Sequence, residues 1–118
     1  MSEATVTAAV GGVYYEAVLI LERGGDPFKI GGREKRTVKV GRVFRVEIDG
    51  IAVGYVKYVM ITRERRGRGQ RYVTARWQSP GWKYCQSGDS AGYYFECVSR
   101  RDGAERVIHA YARNMIGA

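Results

Sequence analysis

Residues 42–61 read RVFRVEIDGIAVGYVKYVMI, and this stretch decides the fold class. Its first half alternates apolar and charged residues, which is the pattern of a strand with one buried face. Asp49-Gly50 then follows, a favoured two-residue hairpin turn because both residues tolerate positive φ. The cross-strand pairs that this turn predicts are all apolar and share one face: Ile48 with Ile51, Val46 with Val53, and Phe44 with Tyr55. The stretch therefore predicts an antiparallel hairpin whose second strand runs to Ile61.

The flanking sequence places β-branched and aromatic residues between frequent glycines, which is typical of a mainly β domain. Further strands are predicted at 13–23, 37–40, 71–77, 82–86 and 93–99. Eleven residues at 13–23 would also make three helical turns, so a helix is the alternative there. Glycine and proline predict the connections: a loop at 24–34, a strand end at Gly41, a type II turn at Ser79-Pro80-Gly81 and a polar loop at 87–92.

The C-terminal stretch has two interpretations. Apolar residues recur at helical spacing over 104–116, with Asp102 as a candidate cap and Gly117 as a candidate stop. The alternative makes Arg101-Asp102-Gly103 a hairpin turn and 105–112 a last strand. The helix is favoured, so the predicted fold is α+β and mainly β: one antiparallel sheet or small barrel with a C-terminal helix, in a single domain over residues 1–118.

The 118 residues carry 20 Lys+Arg against 12 Asp+Glu, a formal net charge of +8, and the excess is not evenly spread. Residues 1–34 have a net charge of −2, residues 35–60 of +4, residues 61–84 of +6, and residues 85–118 of 0. This distribution predicts a positive patch rather than a generally charged surface.

The strongest concentration is RERRGRGQ at 63–70, between a strand ending near Thr62 and a strand starting near Arg71. It predicts a hairpin with a cationic tip that projects as a continuous positive ridge and contacts a phosphate backbone. Trp77 is expected in the core with Val73 and Ala75, whereas Tyr72 is the better platform for stacking a base. The candidate nucleic-acid-binding residues are Arg63, Arg65, Arg66, Arg68, Arg71, Tyr72, Arg76, Lys57 and Lys83.

Nucleic acid, DNA more than RNA, is therefore the predicted partner. One alternative is a protein-interaction module whose basic face docks onto an acidic surface of another protein. A second is a small self-associating structural protein, since an unpaired strand edge can join two copies. The Arg-Gly loop can also be a simple solvated turn.

No motif indicates catalysis, so no catalytic residue, metal ligand or cofactor is predicted and the protein is not expected to be an enzyme. Cys85, Cys97 and His109 lack the spacing of a zinc site. The first ten residues lack the pattern of a signal peptide, and no apolar run reaches the ~20 residues of a membrane span. A cytoplasmic location without membrane contact, and free thiols rather than a disulfide, are therefore expected.

Arginine outnumbers lysine by fifteen to five, and stretches such as ITRERRGRGQRYVTARW resemble small accessory proteins of actinobacterial phages. The likeness is one of style over the whole chain, and no diagnostic motif carries it. The resemblance implies a protein acting in the cytoplasm of an infected bacterium, where such proteins commonly bind host or viral DNA or disable one host protein.

Overall fold

A computed structural model describes residues 3–30, 36–67, 69 and 73–116, which form six strands and one helix. The elements in chain order are β1 (Glu3–Val10), β2 (Val13–Ile30), β3 (Arg36–Ile48), β4 (Ile51–Arg66), β5 (Val73–Cys85), β6 (Tyr94–Cys97) and α1 (Arg100–Ile116). Each strand pairs antiparallel with the next, and the sheet curls into a half-barrel. The predicted α+β, mainly β fold is confirmed. In the described ranges, no helix has the length and apolar character needed to cross a bilayer.

The core lies between the concave face of the sheet and one side of α1. Leu19, Val46 and Val56 from the sheet meet Val107 and Ile108 from the helix, and each is at most 1% exposed. Fully burying an aliphatic side chain contributes roughly 1.5–3 kcal/mol, so these five residues contribute strongly to the stability of the fold. The favoured C-terminal helix is confirmed, because its apolar spacing matches the face that the sheet covers.

The helix begins earlier than the sequence predicts, and Ser99 caps it. Ser99 Oγ accepts the Asp102 N–H at 3.0 Å, while Asp102 Oδ2 accepts the Val98 N–H at 3.0 Å. The first bond satisfies a donor that the first helical turn leaves without an intrahelical acceptor, and the second ties the residue before the cap to that turn. Asp102 therefore takes part in capping from inside the first turn, and the alternative hairpin turn at 101–103 is wrong.

The β3–β4 hairpin has the predicted turn but a different register. Asp49 and Gly50 have φ values of 53° and 78°, and Ile48 pairs with Ile51. A bulge at Val53 then shifts the strand by one residue, so Val46 lies opposite Gly54 and Phe44 opposite Val56. The predicted pairs with Val53 and Tyr55 are wrong.

Gly54 explains the bulge. A Cβ built on it would lie 2.5 Å from the Val107 Cγ1 and 2.5 Å from the Cys85 carbonyl oxygen. Only glycine allows α1 to come this close to β4. The extra residue brings that glycine to the concave face.

The predicted loop at 24–34 is wrong over residues 24–30, because β2 continues to Ile30, and the predicted strand end at Gly41 is wrong, because β3 runs from Arg36 to Ile48. Residues 31–35 lie outside the described residues. Gly25 and Gly41 fall opposite each other in the ladder, with φ values of 79° and 86°. The glycines thus change the backbone direction within the strand pair instead of ending it.

The predicted turn at Ser79-Pro80-Gly81 is also wrong, because these residues lie inside β5. The segments 71–77 and 82–86, predicted as two strands, belong to this one strand as far as they are described. β6 pairs only with Trp82–Cys85, so β5 is an edge strand at Pro80. An edge accommodates proline, since its missing N–H removes no ladder hydrogen bond on the open side. β6 itself is shorter than the predicted 93–99.

We call the part of the sheet that α1 covers the body. The two long hairpins extend beyond it. β3 and β4 pair only as far as Arg42 with Tyr58, so beyond this point each hairpin is a separate two-stranded ribbon. We call residues 23–30 with 36–42 the first arm, and residues 62–66 with 73–78 the second arm. The radius of gyration is 16.8 Å, larger than the ~13 Å of a compact chain of this length, as projecting arms require.

Candidate nucleic-acid interface

The predicted basic residues of β4 and β5 are divided between the two faces of the sheet. Cross-strand partners share a face and successive residues alternate. Lys57 lies opposite Lys83, Arg63 opposite Trp77 and Arg65 opposite Ala75, all on the convex face, away from α1. Glu64 lies opposite Arg76, on the concave face. The division of these residues between the two faces was not predicted, because it depends on the register that pairs β4 with β5.

Lys57 and Lys83 form the part of the convex face nearest the body. Lys57 Nζ lies 3.7 Å from the centroid of the Tyr94 ring. Partial burial, and then the facing charge of Lys83, lower the pKa of Lys57. Two ammonium groups held opposite each other repel, and a bound anion would relieve that repulsion.

Arg63 is fixed by contacts within the protein. Its Nε donates to Ser79 Oγ at 3.2 Å, and its Nη1 lies 2.8 Å from Glu96 Oε1. Ile61, beside it on this face, covers Gly81, where a Cβ would lie 2.6 Å from the Ile61 Cδ1. The Arg63 guanidinium is thus held in position, with its charge partly offset by Glu96.

On the concave face, Glu64 binds two arginines. Its Oε1 accepts from Arg76 Nη2 at 2.9 Å and from Arg76 Nε at 3.2 Å, and its Oε2 lies 3.7 Å from Arg66 Nη2. The side chains of Arg66 and Arg76 nevertheless remain 59% and 64% exposed. Exposed pairs of this kind contribute about 0–1 kcal/mol, so an external phosphate can compete for either arginine.

The predicted continuous positive ridge is therefore wrong over the described part of the hairpin. Its cations are divided between two faces of the sheet, and on each face a carboxylate forms an ion pair with an arginine. Arg68, Arg71 and Tyr72 lie outside the described residues. The second arm still carries four basic residues against one acidic residue in its described parts.

Trp77 is not a core residue, because it is 45% exposed. The predicted alternation with Ala75 is right, but both residues lie on the convex face, which α1 does not cover. Its ring is therefore a candidate stacking surface on the convex face, beside Arg63.

The thiols and the histidine are not brought together. Cys85 and Cys97 are free and lie on opposite faces of the sheet, and His109 is exposed on α1. Burial raises the pKa of Cys97 to about 11, so this thiol stays protonated at neutral pH. No three His, Cys, Asp or Glu side chains cluster as metal ligands within the described residues.

The sequence missed a second cluster of cations, on the concave face where the arms separate. Lys39, Arg42 and Arg100 line a cavity of about 410 Å³ together with Phe44 and Gly24. Arg42 Cζ lies 5.0 Å from the Tyr58 ring centroid and 5.4 Å from that of Trp82. Lys39 and Arg42 lie on β3, but Arg100 lies on α1 and the rings lie on β4 and β5, so no local motif could have indicated the cluster.

No family model matches the chain, and neither a curated protein nor a solved structure matches it.

Proposed function

We propose that the protein binds nucleic acid without catalysis, through phosphate contacts along the β4–β5 hairpin and with weak sequence preference. DNA is favoured over RNA, in line with the resemblance to phage accessory proteins, and the bacterial cytoplasm is the proposed location. The observation that carries the proposal is the convex face of two paired strands. It holds Lys57 opposite Lys83 near the body and Arg63 and Arg65 in the second arm, with the uncharged pairs Val59–Gly81 and Ile61–Ser79 between them.

Spacing supports this proposal. Strand residues two apart on one face lie about 6.6–6.8 Å apart, close to the interval between successive phosphates in an extended strand. Arg63 and Arg65 have this separation. Guanidinium groups can donate bidentately to phosphate oxygens at each such interval. The adjacent Trp77 offers a ring face to an unpaired base, so the face suits a single strand.

The test measures affinity for single- and double-stranded oligonucleotides by fluorescence anisotropy at two salt concentrations. Binding should weaken steeply with salt, because each phosphate contact releases a counterion. Replacing Arg65, Arg66 and Arg68 together by Ala should reduce affinity about tenfold or more and leave the melting temperature nearly unchanged.

The matched control replaces Arg101, Arg106 and Arg113 by Ala, which removes the same charge from α1. Its affinity should fall much less, because those arginines lie far along the chain from the arm and project from the helix. Equal losses in both triple variants would mean that only net charge matters, and an unchanged affinity in the arm variant would reject the proposal.

A second candidate function, binding to a protein partner, is favoured by an exposed apolar patch around β6. Tyr93, Phe95 and Val98 are 78%, 47% and 87% exposed. The ring centroids of Tyr93 and Phe95 lie 5.0 Å apart, and adjoining exposed apolar groups mark interaction sites. The patch would give such a partner an apolar contact besides the predicted docking of the basic face on an acidic surface. Self-association is a further alternative, because β1 and β6 are the edge strands of the sheet.

A pull-down from nuclease-treated lysate tests this candidate. One stoichiometric protein that is retained by the wild type and lost with Tyr93→Ser/Val98→Ser would support it. Light scattering on the wild type and the double variant measures oligomeric state, and so separates a foreign partner from a second copy of the chain. Retention of the same protein by the double variant would exclude the β6 patch.

A further inference from the structure

We propose that the concave cavity between the first arm and the start of α1 is a binding site for a phosphate group. The proposal does not depend on the second arm or on its interaction with nucleic acid. The phosphate could belong to a small phosphate ester or to the end of a nucleic-acid strand, and the experiment below separates these sources.

The cavity has the composition of an anion site. Three cations, Lys39, Arg42 and Arg100, line it, and none of its lining residues is acidic. Across the described ranges, no carboxylate forms an ion pair with any of the three. This differs from the second arm, where Glu64 and Glu96 are paired with arginines.

Aromatic rings hold the two guanidinium groups in place. Arg42 lies over Tyr58 and Trp82, and Arg100 Cζ lies 5.0 Å from the Phe44 ring centroid. A ring engages the flat face of a guanidinium, whereas its N–H donors project from the edge. These cation–π contacts therefore hold both groups beside the rings without a ring accepting the N–H donors that a phosphate needs.

Arg42 also has an unmet hydrogen-bonding requirement. Its Nε is buried and makes no hydrogen bond to a protein atom. Leaving a buried donor unpaired is unfavourable, and more so for a charged group. Because Nε has almost no exposed surface, a phosphate in the cavity would offset this cost through the charge of the whole guanidinium and not through a hydrogen bond to Nε.

Two features of the fold support this assignment. Arg100 is the first residue of α1, so the positive end of a 17-residue helix adds to the local potential. The cavity is open on the side of Gly24 and Lys39, which are both exposed, and its volume falls within the ~300–1,000 Å³ of ligand pockets. A multiply charged, compact anion fits three converging cations better than a single carboxylate does.

The experiment titrates inorganic pyrophosphate into the full chain by calorimetry, with sodium chloride at equal ionic strength as the reference. Pyrophosphate should bind with saturation. Arg42→Gln and Arg100→Gln should each weaken its binding at least tenfold. Arg101→Gln is the matched control: it removes the same charge one residue away, where the side chain is 76% exposed and paired with Glu105, and should retain binding.

The Arg65, Arg66 and Arg68 triple variant separates this proposal from the proposed function, because it should bind pyrophosphate like the wild type. Oligonucleotides of one sequence, with a 5′-phosphate or a 5′-hydroxyl, then identify the source. A 5′-phosphate preference that Arg100→Gln abolishes supports a strand end, and its absence together with pyrophosphate binding supports a free phosphate ester.

Two results would overturn the assignment. One is a wild-type response to pyrophosphate no larger than that to chloride. The other is an equal loss of binding in Arg100→Gln and Arg101→Gln, which would show a response to net charge alone. Arg100→Gln keeps the test valid should Arg42→Gln fail to fold, because Arg100 belongs to the helix surface and not to the ring stack of Tyr58 and Trp82.

Discussion

The two arms leave the same sheet but balance their charges differently. The described part of the first arm holds five basic residues against Asp26, and no ion pair forms across it. The second arm holds four against Glu64, which pairs with arginines on both of its strands. The first arm bends at opposed glycines, whereas the second continues as a ribbon with a bulge near its end. The arm with unpaired cations therefore borders the cavity, and the partly neutralised arm presents an extended surface.

The body should be far more sensitive than either arm. Gly54→Val should lower the free energy of unfolding by about 3 kcal/mol or more, because the new side chain meets Val107 and the rigid Cys85 backbone. Urea denaturation measures it. Gly24→Ala is the control, since no atom lies within 4 Å of its Cβ and its φ is outside the left-handed region; it should change stability by under ~0.5 kcal/mol. An equal loss of stability in both variants would show that the body is no more sensitive to substitution than the arm.

Gly25→Ala should destabilise the first arm by about 1–3 kcal/mol while the body stays folded. Its φ of 79° disfavours a side chain, and a Cβ would lie 2.7 Å from the Val40 carbonyl oxygen. Hydrogen exchange should therefore accelerate in the first arm and remain slow in α1. Uniform acceleration throughout the molecule would show that arm and body unfold as one unit.

Glu64→Gln should increase affinity for a single-stranded oligonucleotide about threefold, because it releases Arg66 and Arg76 from an intramolecular partner. The control Glu105→Gln raises the net charge equally on α1, where Glu105 pairs with Arg101. Anisotropy measures both variants. If both gain equally, the second arm has no special part in binding.

The smallest effect concerns Lys57, at the base of the second arm. Because its pKa is lowered in the folded state, folding is disfavoured while it is protonated, and stability should rise with pH between its folded pKa and ~10.4. Lys83→Gln should raise the pKa of Lys57 by removing the facing charge. An NMR titration of the Lys57 ammonium checks the direction, and a pKa unmoved by Lys83→Gln would contradict the assigned cause.

The fold class and the β3–β4 turn were predictable because alternation and Asp49-Gly50 are local signals. The arms were not, because glycine and proline indicate loops only when no partner strand is known. Gly24-Gly25 and Pro80 lie inside strands because their neighbours pair around them. The bulge at Val53 required knowing that α1 would pack on Gly54.

The candidate sites divide in the same way. The clustering of arginines near 63–71 is visible in the sequence, but the face on which each lies depends on register. The exposure of Trp77 depends on which face of the sheet α1 covers, and the alternation along β5 does not reveal that. The cavity cluster forms only because the first arm bends and the sheet curls toward α1, which brings together Lys39, Arg42 and Arg100. Neither the bend nor the curl can be predicted from residue spacing along the chain.

Pro80 has a consequence for the behaviour of the molecule at high concentration. An exposed, flat β-ribbon invites another chain to add as a further strand, which is the first step toward fibrillar aggregates. Pro80 stands just beyond the last residue of β5 that β6 covers, where the ribbon becomes open. Without an N–H to donate, it interrupts strand addition along the β5 edge, at the base of the second arm.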